Sequence, residues 1–570
     1  MTELTIKVSG EAGLGVQTIG EVLCRIFKAA GLYLFSIQDY MSRVRGGNNF
    51  IQVRVASEPV FSCRERAHIT VALDRPGVLL HQARMETGGV LVLDRSHLGF
   101  SGENSAWFDA PLYAIAENAG KSARYVNSAA CGVIAGMVRL PFAPVKRVLE
   151  RAFAKKGAAV VEANIAAAKE GHGYAMGNFH LPALALEPAP ERPDLLLNGN
   201  EALALGAIQA GCKFFSAYPM SPSTGVMETM AHYADNAGII VEQAEDEIAA
   251  VNMVIGASFA GVRAMTATSG GGFALMAEGL SLAAMTETPI VMVDAQRPGP
   301  ATGFPTRTEQ ADLNFLIHAG HGEFARVIYS PGTAEEAFFL AQKAFEVAEK
   351  YQVPVMIMTD QTLADSVRNV SAESLDFIKI NRHLVSKEES GSASSYKRYQ
   401  LTPSGISPRA VPSRIADVIY ADSDEHTEEG HITEDGAMRT RMVEKRLSLK
   451  LSLLRKEIVP PEAYRTENAK VLLVGFGSTY GAILDAVNRL ENPGIGFIHL
   501  PQVWPFPAEA FTALAGKKAR VITVENNAGA QLAGLIRRET GVAPEASILK
   551  FDGRPFDVDF LEREIKKAAK

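Results

Sequence analysis

The chain has 570 residues, of which 47% are hydrophobic and 21% charged, and its net charge at pH 7 is −7. That length exceeds one hydrophobic core and predicts three or four units, at about 150 residues per domain. The acidic balance excludes the basic surface of a nucleic-acid-binding protein, and no apolar run approaches the ~20 residues that cross a bilayer. The N-terminal residues lack a signal peptide's apolar core, so we expect a cytoplasmic protein.

Four cysteines are scattered singly along the chain, with no C-x-x-C pair: Cys24, Cys63, Cys131 and Cys212. An iron–sulfur cluster needs closely spaced thiolates, so we predict neither a cluster nor another metal site in this chain. Disulfides are disfavoured in a reducing compartment. The four side chains are therefore predicted to be small, buried hydrophobic groups.

The first segment begins as a βα unit. A strand, LTIKVSG, leads into the glycine turn Gly10-Glu-Ala-Gly13-Leu-Gly15 and a helix-like run from Val16 to Ala30. The glycines permit a tight turn and let an anion approach the helix N-terminus. The spacing differs from the dinucleotide fingerprint, so a nicotinamide dehydrogenase is only an alternative. Strands NNFIQVRVA, AHITVAL and GVLVLD follow, and the proline-rich run 181–193 predicts the first boundary.

From about residue 198 to 370, strands alternate with helix-length segments, which predicts a parallel sheet covered on both faces. The candidate strands are CKFFSAYP, GIIVEQ, VRAMTATS, PIVMVDA and VPVMIMTD. Ligands of such sheets bind at the carboxyl ends of the strands. The segments AYPMSPS, EQAEDE, TATSGGG and VDAQRPG directly follow strands, so they form the candidate site.

The alternation breaks between residues 386 and 460. There an acidic run, Asp422 to Asp435, precedes a helix with the basic residues Arg439, Arg441, Lys445 and Arg446. This pattern is typical of a solvated loop and a surface helix, and the alternative is an arm that wraps a partner subunit. The later runs AKVLLVGFGSTYGAILDAV and ARVITVENNAGAQLAGLI predict a small terminal α/β domain.

The run Tyr218-Pro219-Met220-Ser221-Pro222-Ser223 ends a predicted strand. Ser221 is expected to cap a helix whose first residue is Pro222. The motif is either a capped helix start alone or one whose free N–H groups also hold a substrate carboxylate or carbonyl oxygen.

Glu245, Asp246 and Glu247 precede IAAVNMVIGASFAG, which is apolar on nearly every face and so predicts a buried helix. Three acids at a helix start can simply complement the helix dipole. Glu247, however, borders the apolar stretch, where a carboxylate is costly unless it has a partner or a raised pKa. We therefore expect a functional role for Glu247.

Two further motifs follow strands. Thr268-Ser269 leads into three consecutive glycines, Gly270 to Gly272, which indicate either a tight turn or the close approach of a ligand. Arg297 follows PIVMVDA, and Arg307 lies in the loop after it. An arginine at this position can bind both oxygens of a carboxylate, with a plain surface arginine as the alternative.

The runs GNEALALGAIQAGCKFFSAYPMSPS, QAEDEIAAVNMVIGASFAGVRAMTATSGGG and DAQRPGPATGFPTRTEQADL resemble the alpha subunit of 2-oxoacid:ferredoxin oxidoreductases. They most resemble the 2-oxoglutarate synthase branch, as do SSYKRYQLTPSGISPRAVP and ADSDEHTEEGHITED. The first segment, with GEAGLGVQT and SRVRGGNNFIQVRV, is similar to a separate gamma subunit, here fused ahead of alpha. The resemblance covers nearly the whole chain.

The resemblance implies an α/β fold with several doubly wound domains. Residues 1–185 would form a gamma-like domain, and residues 195–380 a thiamine-diphosphate pyrimidine-binding domain with a parallel sheet. Residues 381–465 would form an irregular arm with a helix, and residues 466–570 a small C-terminal α/β domain.

The resemblance also implies roles for single residues. Glu247 matches the catalytic glutamate that bonds the aminopyrimidine ring of thiamine diphosphate. Ser221 keeps the hydroxyl of the family's YPITPS motif at the substrate, and Arg297 matches the arginine that grips the 2-oxoacid carboxylate. Arg307 is the second choice for that carboxylate. The remaining expected contacts are Tyr218, Pro219 and Thr268 for the cofactor and Gly13 and Gly15 for coenzyme A.

No Gly-Asp-Gly motif occurs, so the resemblance implies a beta subunit that holds the diphosphate, Mg²⁺ and a 4Fe-4S cluster. Ferredoxin would be the electron partner, and the assembly a dimer of heterodimers. The leading hypothesis is the interconversion of a 2-oxoacid, most closely 2-oxoglutarate, and coenzyme A with an acyl-coenzyme A and CO₂. The alternatives are a non-catalytic coenzyme A-binding scaffold and an oxidoreductase for pyruvate or for a branched-chain or aryl 2-oxoacid.

Overall fold

The computed structural model describes residues 3–42, 47–102, 104–385, 396–412, 414–415, 418–516 and 519–570. The middle of SRVRGGNN and the start of SSYKRYQ lie outside these residues. The chain divides into two compact units. Unit 1 contains residues 1–197, 366–372 and 556–563, and unit 2 contains residues 198–365, 373–555 and 564–570.

Strands and helices alternate in the first third of the chain. The strands there are β1 (Glu3–Gly10), β2 (Tyr33–Asp39), β3 (Asn49–Ala56), β4 (Ala67–Ala72), β5 (Met85–Leu93), β6 (Trp107–Asp109) and β7 (Leu195–Leu197). The helices are α1 (Val16–Ala29), α2 (Arg75–His81), α3 (Arg95–Leu98), α4 (Leu112–Gly120), α5 (Val126–Met137), α6 (Phe142–Phe153) and α7 (Ala158–Asn178).

The middle of the chain continues this alternation. Its strands are β8 (Phe214–Ala217), β9 (Ile240–Gln243), β10 (Ala264–Thr268), β11 (Val291–Gln296), β12 (Val327–Tyr329), β13 (Val355–Asp360) and β14 (Val367–Val370). Its helices are α8 (Gly199–Gln209), α9 (Thr224–His232), α10 (Ala234–Ala237), α11 (Glu247–Phe259), α12 (Gly270–Leu275), α13 (Ala277–Met285), α14 (Leu313–His318), α15 (Ala334–Tyr351) and α16 (Gln361–Asp365).

The last third opens with a long helical stretch in which a π-helical segment, Glu444–Leu449, joins two α-helices. The helices here are α17 (Gly436–Val443), α18 (Lys450–Leu454), α19 (Thr479–Leu490), α20 (Ala508–Ala515), α21 (Gln531–Thr540) and α22 (Val558–Ala568). The strands are β15 (Glu462–Tyr464), β16 (Val471–Phe476), β17 (Ile495–Leu500), β18 (Gln502–Trp504), β19 (Arg520–Glu525) and β20 (Ala546–Leu549). Every helix in the described ranges is too short or too polar to span a bilayer.

Unit 1 is built on a mixed eight-stranded sheet with the order β6-β5-β4-β1-β3-β2-β14-β7. Strands β1, β4, β5 and β6 pair in parallel, and β3, β2, β14 and β7 pair antiparallel. Helix α1 covers the sheet with fully buried Ile19, Leu23 and Phe27, whose spacing forms one apolar stripe of a helix. The seven-residue strand β2 was not predicted.

Unit 2 contains two sheets. The first has the order β18-β12-β13-β11-β10-β8-β9 and is parallel apart from β18, and the second has the order β15-β17-β16-β19-β20 and is parallel apart from β15. Strands β10, β11 and β13 are buried throughout, as expected of parallel strands covered on both faces. The predicted α/β fold with parallel sheets is therefore confirmed.

The prediction of a surface helix after the acidic run holds for α17, where Arg439 and Arg441 are exposed, and was wrong for the part that follows it. Lys445 and Lys450 are almost completely buried, and their ammonium groups each lie 2.5 Å from a carboxylate oxygen of Glu287. Arg446, also buried, pairs with Glu425 of the acidic run at 2.7 Å. These basic side chains have acidic partners within the same chain, which a local charge pattern does not reveal.

Candidate functional site

The four candidate segments meet at one edge of the seven-stranded sheet of unit 2. Each directly follows one of the strands β8, β9, β10 and β11, and these four strands are neighbours in the sheet. They pair in parallel, so their carboxyl ends lie together. The expected convergence of the four segments is confirmed.

The three acids before α11 have three different environments. Glu245 is exposed, and Asp246 caps the helix by accepting a hydrogen bond from the Ala249 N–H at 2.7 Å. Glu247 is only 3% exposed, and its Oε1 has no hydrogen-bond partner among the described residues. A buried carboxylate oxygen is costly to leave unpaired, so Glu247 is the acid that requires a partner from outside this part of the chain.

The triple-glycine turn packs directly against Glu247. A Cβ added to Gly272 would overlap the Thr268 hydroxyl and lie 2.5 Å from Glu247 Oε1. The same Thr268 hydroxyl lies 3.9 Å from Met220 Sδ. For the neighbouring Gly271, the Ala301 carbonyl oxygen is the only atom of the described residues within 4.0 Å of such a position. Glycine is therefore needed at 272 because protein side chains approach it closely, and Gly271 faces open space.

Ser221 and Arg297 are in direct contact. Arg297 donates a hydrogen bond from Nη1 to the Ser221 carbonyl oxygen at 2.8 Å. The arginine is half-buried, and burial lowers its pKa. Two of the predicted substrate-binding residues are therefore adjacent, beside Met220.

The prediction that Ser221 caps a helix starting at Pro222 was wrong. Helix α9 begins at Thr224, and the peptide bond between Ser221 and Pro222 is cis. The Ser223 hydroxyl donates to the Met220 carbonyl oxygen at 2.7 Å and closes a turn ahead of the helix. Because this turn uses residues 220–223, the helix starts two residues later than predicted.

A buried pair of acids that the motifs did not reveal lies beside the triple-glycine turn. Asp294, on β11, is fully buried with neither carboxylate oxygen hydrogen-bonded among the described residues. A Cβ added to Gly270 would overlap the Asp312 carboxylate. Burial raises the pKa of Asp312 to about 6, and burial together with Asp312 raises the pKa of Asp294 well above its ordinary value. The only sequence signal was one acid inside the apolar strand VMVDAQ.

Helix α11 is buried on one face only, so the prediction of a wholly buried helix was wrong. Val251 and Val254 pack in the core, whereas Ile248 is 51% and Met253 40% exposed. Leu275, at the end of the neighbouring α12, is also exposed. An apolar surface of this kind marks an interaction site more often than a monomer surface.

Tyr218 and Arg307 lie in two different segments. Tyr218 follows β8 and is 41% exposed. Arg307 lies in the arginine loop, defined as residues 297–312, and its side chain passes Gly553. A Cβ added to Gly553 would lie 3.2 Å from the Arg307 Cβ. Arg297 and Arg307 therefore contact different parts of unit 2.

The glycine turn of unit 1 has the predicted conformation. Gly13 and Gly15 have φ of 100° and 78°, in the left-handed region that favours glycine. A Cβ on Gly15 would also overlap the Asn127 side-chain amide. Asn127 also lines a cavity of about 330 Å³, together with Arg124 and Lys156. These two basic side chains place positive charge next to the turn.

The four cysteines are buried and form no disulfides. Burial raises the pKa of each of the four thiols to about 12. A thiol of this kind is neutral and unreactive at pH 7, so the prediction of small buried hydrophobic groups is confirmed. In the part of the chain that the structure describes, no group of three or more His, Cys, Asp or Glu side chains is placed to hold a metal ion.

Three family models match the chain. Residues 205–445 match the model described as "Pyruvate flavodoxin/ferredoxin oxidoreductase, thiamine diP-bdg". Residues 5–174 match "Pyruvate ferredoxin/flavodoxin oxidoreductase", and residues 469–558 match "Pyruvate:ferredoxin oxidoreductase core domain II". The first range contains all four candidate segments.

Individual proteins agree with these models. A 2-oxoacid:ferredoxin oxidoreductase subunit alpha of a Sulfolobus species is 33% identical, over 100% of this chain and 97% of its own length. The 2-oxoglutarate synthase subunit KorA of Methanothermobacter thermautotrophicus is 33% identical, over 63% of this chain and 95% of its own length. The solved 2-oxoglutarate:ferredoxin oxidoreductase from Magnetococcus marinus, with 2-oxoglutarate, coenzyme A and succinyl-CoA bound, has a TM-score of 0.93 and 32% identity over 100% of both chains.

Proposed function

Because this chain belongs to the 2-oxoacid:ferredoxin oxidoreductase family as an alpha subunit, we propose that it is the subunit of an enzyme that interconverts a 2-oxoacid and coenzyme A with an acyl-coenzyme A and CO₂. The proposed cofactor is thiamine diphosphate, and the electrons pass to ferredoxin. 2-Oxoglutarate is the proposed substrate, since the solved relative binds it and the methanogen relative is a subunit of 2-oxoglutarate synthase.

One observation carries this proposal: the buried Oε1 of Glu247 has no hydrogen-bond partner among the described residues. A ring nitrogen of the cofactor's aminopyrimidine would supply that partner. The Thr268 hydroxyl, like Glu247 Oε1, lies beside Gly272. The residues present therefore fit the pyrimidine end of thiamine diphosphate. When bound, this cofactor supplies a carbon nucleophile and an electron sink for decarboxylation.

The chain's own residues would act around that group. The Glu247 carboxylate would exchange a proton with the pyrimidine nitrogen, and its burial keeps water from competing. Tyr218, Pro219 and Thr268 would contact the ring. The Ser221 hydroxyl and the Arg297 guanidinium would hold the 2-oxoacid carboxylate, because the fork of an arginine can donate to both oxygens. Arg307 is the alternative residue for that role.

A beta subunit would complete the site. We assign to it the diphosphate, Mg²⁺ and the 4Fe-4S cluster, because the sequence has no Gly-Asp-Gly motif and its cysteines are buried singly. The exposed apolar face of α11, which begins at Glu247, supports a partner that packs beside the cofactor. The proposed assembly is a dimer of such heterodimers that donates electrons to ferredoxin.

Coenzyme A is assigned to the gamma-like domain, residues 1–185. The left-handed turn at Gly13 and Gly15 leaves the N-terminus of α1 open to an anion. Arg124 and Lys156 line the adjacent cavity and would balance phosphate charge. The other proposed domains are the pyrimidine-binding domain (195–380), the arm (381–465) and the terminal domain (466–570).

The activity test uses the complex of this chain with its beta subunit. Viologen reduction should require both coenzyme A and a 2-oxoacid, with 2-oxoglutarate the best of a panel that includes pyruvate and branched-chain and aryl 2-oxoacids. This chain purified alone should contain no iron. Coenzyme A binding without turnover would instead identify a scaffold, and reduction of NAD(P)⁺ would identify a nicotinamide dehydrogenase.

Replacing Arg297 with Ala should raise the KM for the 2-oxoacid about ten- to a hundredfold. A charge-assisted hydrogen bond is worth about 1.5–3 kcal/mol, and the interaction is present in both the ground state and the transition state. The KM for coenzyme A should change little, since the arginine contacts Ser221 in unit 2. Steady-state viologen assays with each substrate varied in turn measure both constants.

Arg307→Ala is the matched comparison, because Arg307 lies in the same loop but passes Gly553 instead of Ser221. A smaller rise in the 2-oxoacid KM is expected for this variant. If Arg307→Ala raises that KM and Arg297→Ala does not, the carboxylate is bound by Arg307.

A further inference from the structure

The arginine loop needs external support because it is long and has no helix or strand of its own. Its segment from Gly299 to Phe304 is exposed. Its two ends are joined by Gln296, whose Oε1 accepts a hydrogen bond from the Asp312 N–H at 2.9 Å. A loop of this length is ordered only if further contacts offset the entropy of fixing it.

Several of those contacts come from the turn after β19, in the run ENNAGAQ. Gln310 of the loop is completely buried, and its N–H donates to the Asn526 carbonyl oxygen at 2.7 Å. In return, the Asn526 N–H donates to Gln310 Oε1 at 3.1 Å. The Asn527 side-chain amide donates to the Gln310 carbonyl oxygen at 3.1 Å. This turn therefore holds both the backbone and the side-chain oxygen of Gln310, while the Gln310 Nε2 donates to the Phe476 carbonyl oxygen at 2.9 Å.

Gln531 extends the same support to the end of the loop. Its Nε2 donates to the Ala311 carbonyl oxygen at 2.7 Å, and its Oε1 accepts from the Asn314 N–H at 2.9 Å. One side-chain amide thus bridges the loop and the first turn of α14. Gln531 is only partly buried, so it can be replaced without opening a cavity in the core.

The supporting turn is itself fixed by a buried carboxylate. Glu525 is completely buried and accepts hydrogen bonds from the Leu532 N–H at 2.7 Å and the Asn527 side-chain amide at 3.0 Å. It also accepts from the Ala533 N–H at 3.1 Å. Charged hydrogen bonds of this kind are stronger than neutral ones, so the turn provides a rigid base for the loop.

We propose that Asn526, Asn527 and Gln531 are positioning residues that hold the arginine loop in the geometry that binds the 2-oxoacid carboxylate. This role rests on the proposed function, because it acts through Arg297 and Arg307. None of the three side chains has to touch the substrate. A small displacement of a binding arginine strongly weakens its hydrogen bonds to the carboxylate. Loss of the support should therefore lower the affinity for the substrate.

Gln531→Ala tests this in the complex with the beta subunit. The KM for 2-oxoglutarate should rise about three- to thirtyfold, less than the full effect of two lost neutral hydrogen bonds because the loop keeps its bonds to Asn526 and Asn527. The KM for coenzyme A and the thermal unfolding midpoint should stay nearly unchanged. Gln531→Met keeps the side-chain length without either hydrogen bond and should reproduce the result if the alanine variant is insoluble.

Gln342→Ala is the matched control, because Gln342 makes the same kind of bridge elsewhere in unit 2. Its Nε2 donates to the Asp376 carbonyl oxygen at 2.8 Å, and its Oε1 accepts from the Ile378 N–H at 2.9 Å. This variant should lower stability and leave the 2-oxoglutarate KM unchanged. In the Arg297→Ala background, Gln531→Ala should add less than its own single effect, since both act on one interaction.

An unchanged 2-oxoglutarate KM in Gln531→Ala would overturn the positioning role. The role would also be wrong if the KM values for 2-oxoglutarate and coenzyme A rose together with a loss of stability. A wild-type complex that fails to reduce viologen would instead overturn the proposed function, and this inference with it. Activity of the wild-type complex therefore separates the two failures.

Discussion

Replacing Glu247 with Gln should lower the kcat of the assembled complex by on the order of 10²–10⁴, the usual effect of losing acid–base catalysis. Glutamine has the shape of glutamate but cannot take up a proton from the aminopyrimidine. The packing around Gly272 and Thr268 should be retained, because the two side chains have the same size. Single-turnover and steady-state viologen assays on the purified complex measure the loss.

The stability of this variant separates a catalytic role from a structural one. Oε1 of Glu247 is buried without a hydrogen-bond partner among the described residues, so the native carboxylate contributes little to folding there. We expect Glu247→Gln to unfold at the same temperature as the wild type or a higher one, with unchanged iron content. A clear loss of stability, or failure to assemble, would make Glu247 structural.

Glu245→Gln and Asp246→Asn are the controls for that experiment. Glu245 is exposed, and an asparagine at 246 still accepts the hydrogen bond from the Ala249 N–H that caps α11. Both variants should keep more than half of the wild-type kcat. Equal losses in all three variants would mean that the helix start, and not one carboxylate, supports activity.

Much of this site was predictable because its signals are local. Parallel strands buried on both faces appear as short apolar runs, and their polar ends mark one edge of the sheet. The distinction between Glu247 and its two acidic neighbours followed from its position beside an apolar helix, and the structure confirms that Glu247 alone of the three is buried. The contact between Ser221 and Arg297 joins two of the segments predicted to converge.

What was missed depends on partners far apart in the sequence. Asp312 lies against Gly270 and Asp294 interacts with Asp312, yet each is an ordinary acid in its own segment. The role of Gln531 follows from hydrogen bonds to Ala311 and Asn314, more than 200 residues away. Helix α11 was wrongly predicted to be buried all round because an exposed apolar face has the same composition as a core face.

The charged residues of the basic helix after the acidic run also have partners far away in the sequence. Burial alone would raise the pKa of Glu287, but Lys445 and Lys450 hold it below its ordinary value. Two ammonium groups share this one carboxylate, and burial lowers the pKa of Lys450 to about 8. Lys450 also donates to the Gln352 carbonyl oxygen at 3.0 Å. The cluster therefore ties the helix to the core of unit 2 through one carboxylate and a backbone carbonyl group.

Glu287→Gln should accordingly lower the free energy of unfolding by about 3–5 kcal/mol at pH 7, since it leaves two lysines buried without a counter-charge. The lowered pKa of Glu287 makes its contribution complete above pH 4.5 and lost as the pH falls below that value. Towards pH 10 the difference from the wild type should also shrink. Without Glu287, the pKa of the buried lysines is lower in the folded variant than in the folded wild type. The free energy of unfolding of the variant therefore increases more as the pH rises.

Lys397→Met is the control for that prediction, because Lys397 is 40% exposed in its ion pairs with Glu428 and Glu429. An exposed pair is worth about 0–1 kcal/mol, so this variant should unfold close to the wild type. Denaturant unfolding at pH 4, 7 and 9.5, monitored by circular dichroism, compares the three proteins. Equal midpoints for Glu287→Gln and Lys397→Met at pH 7 would show that the buried cluster adds no stability. A difference that grew towards pH 9.5 would show that the lysines are neutralised by something other than Glu287.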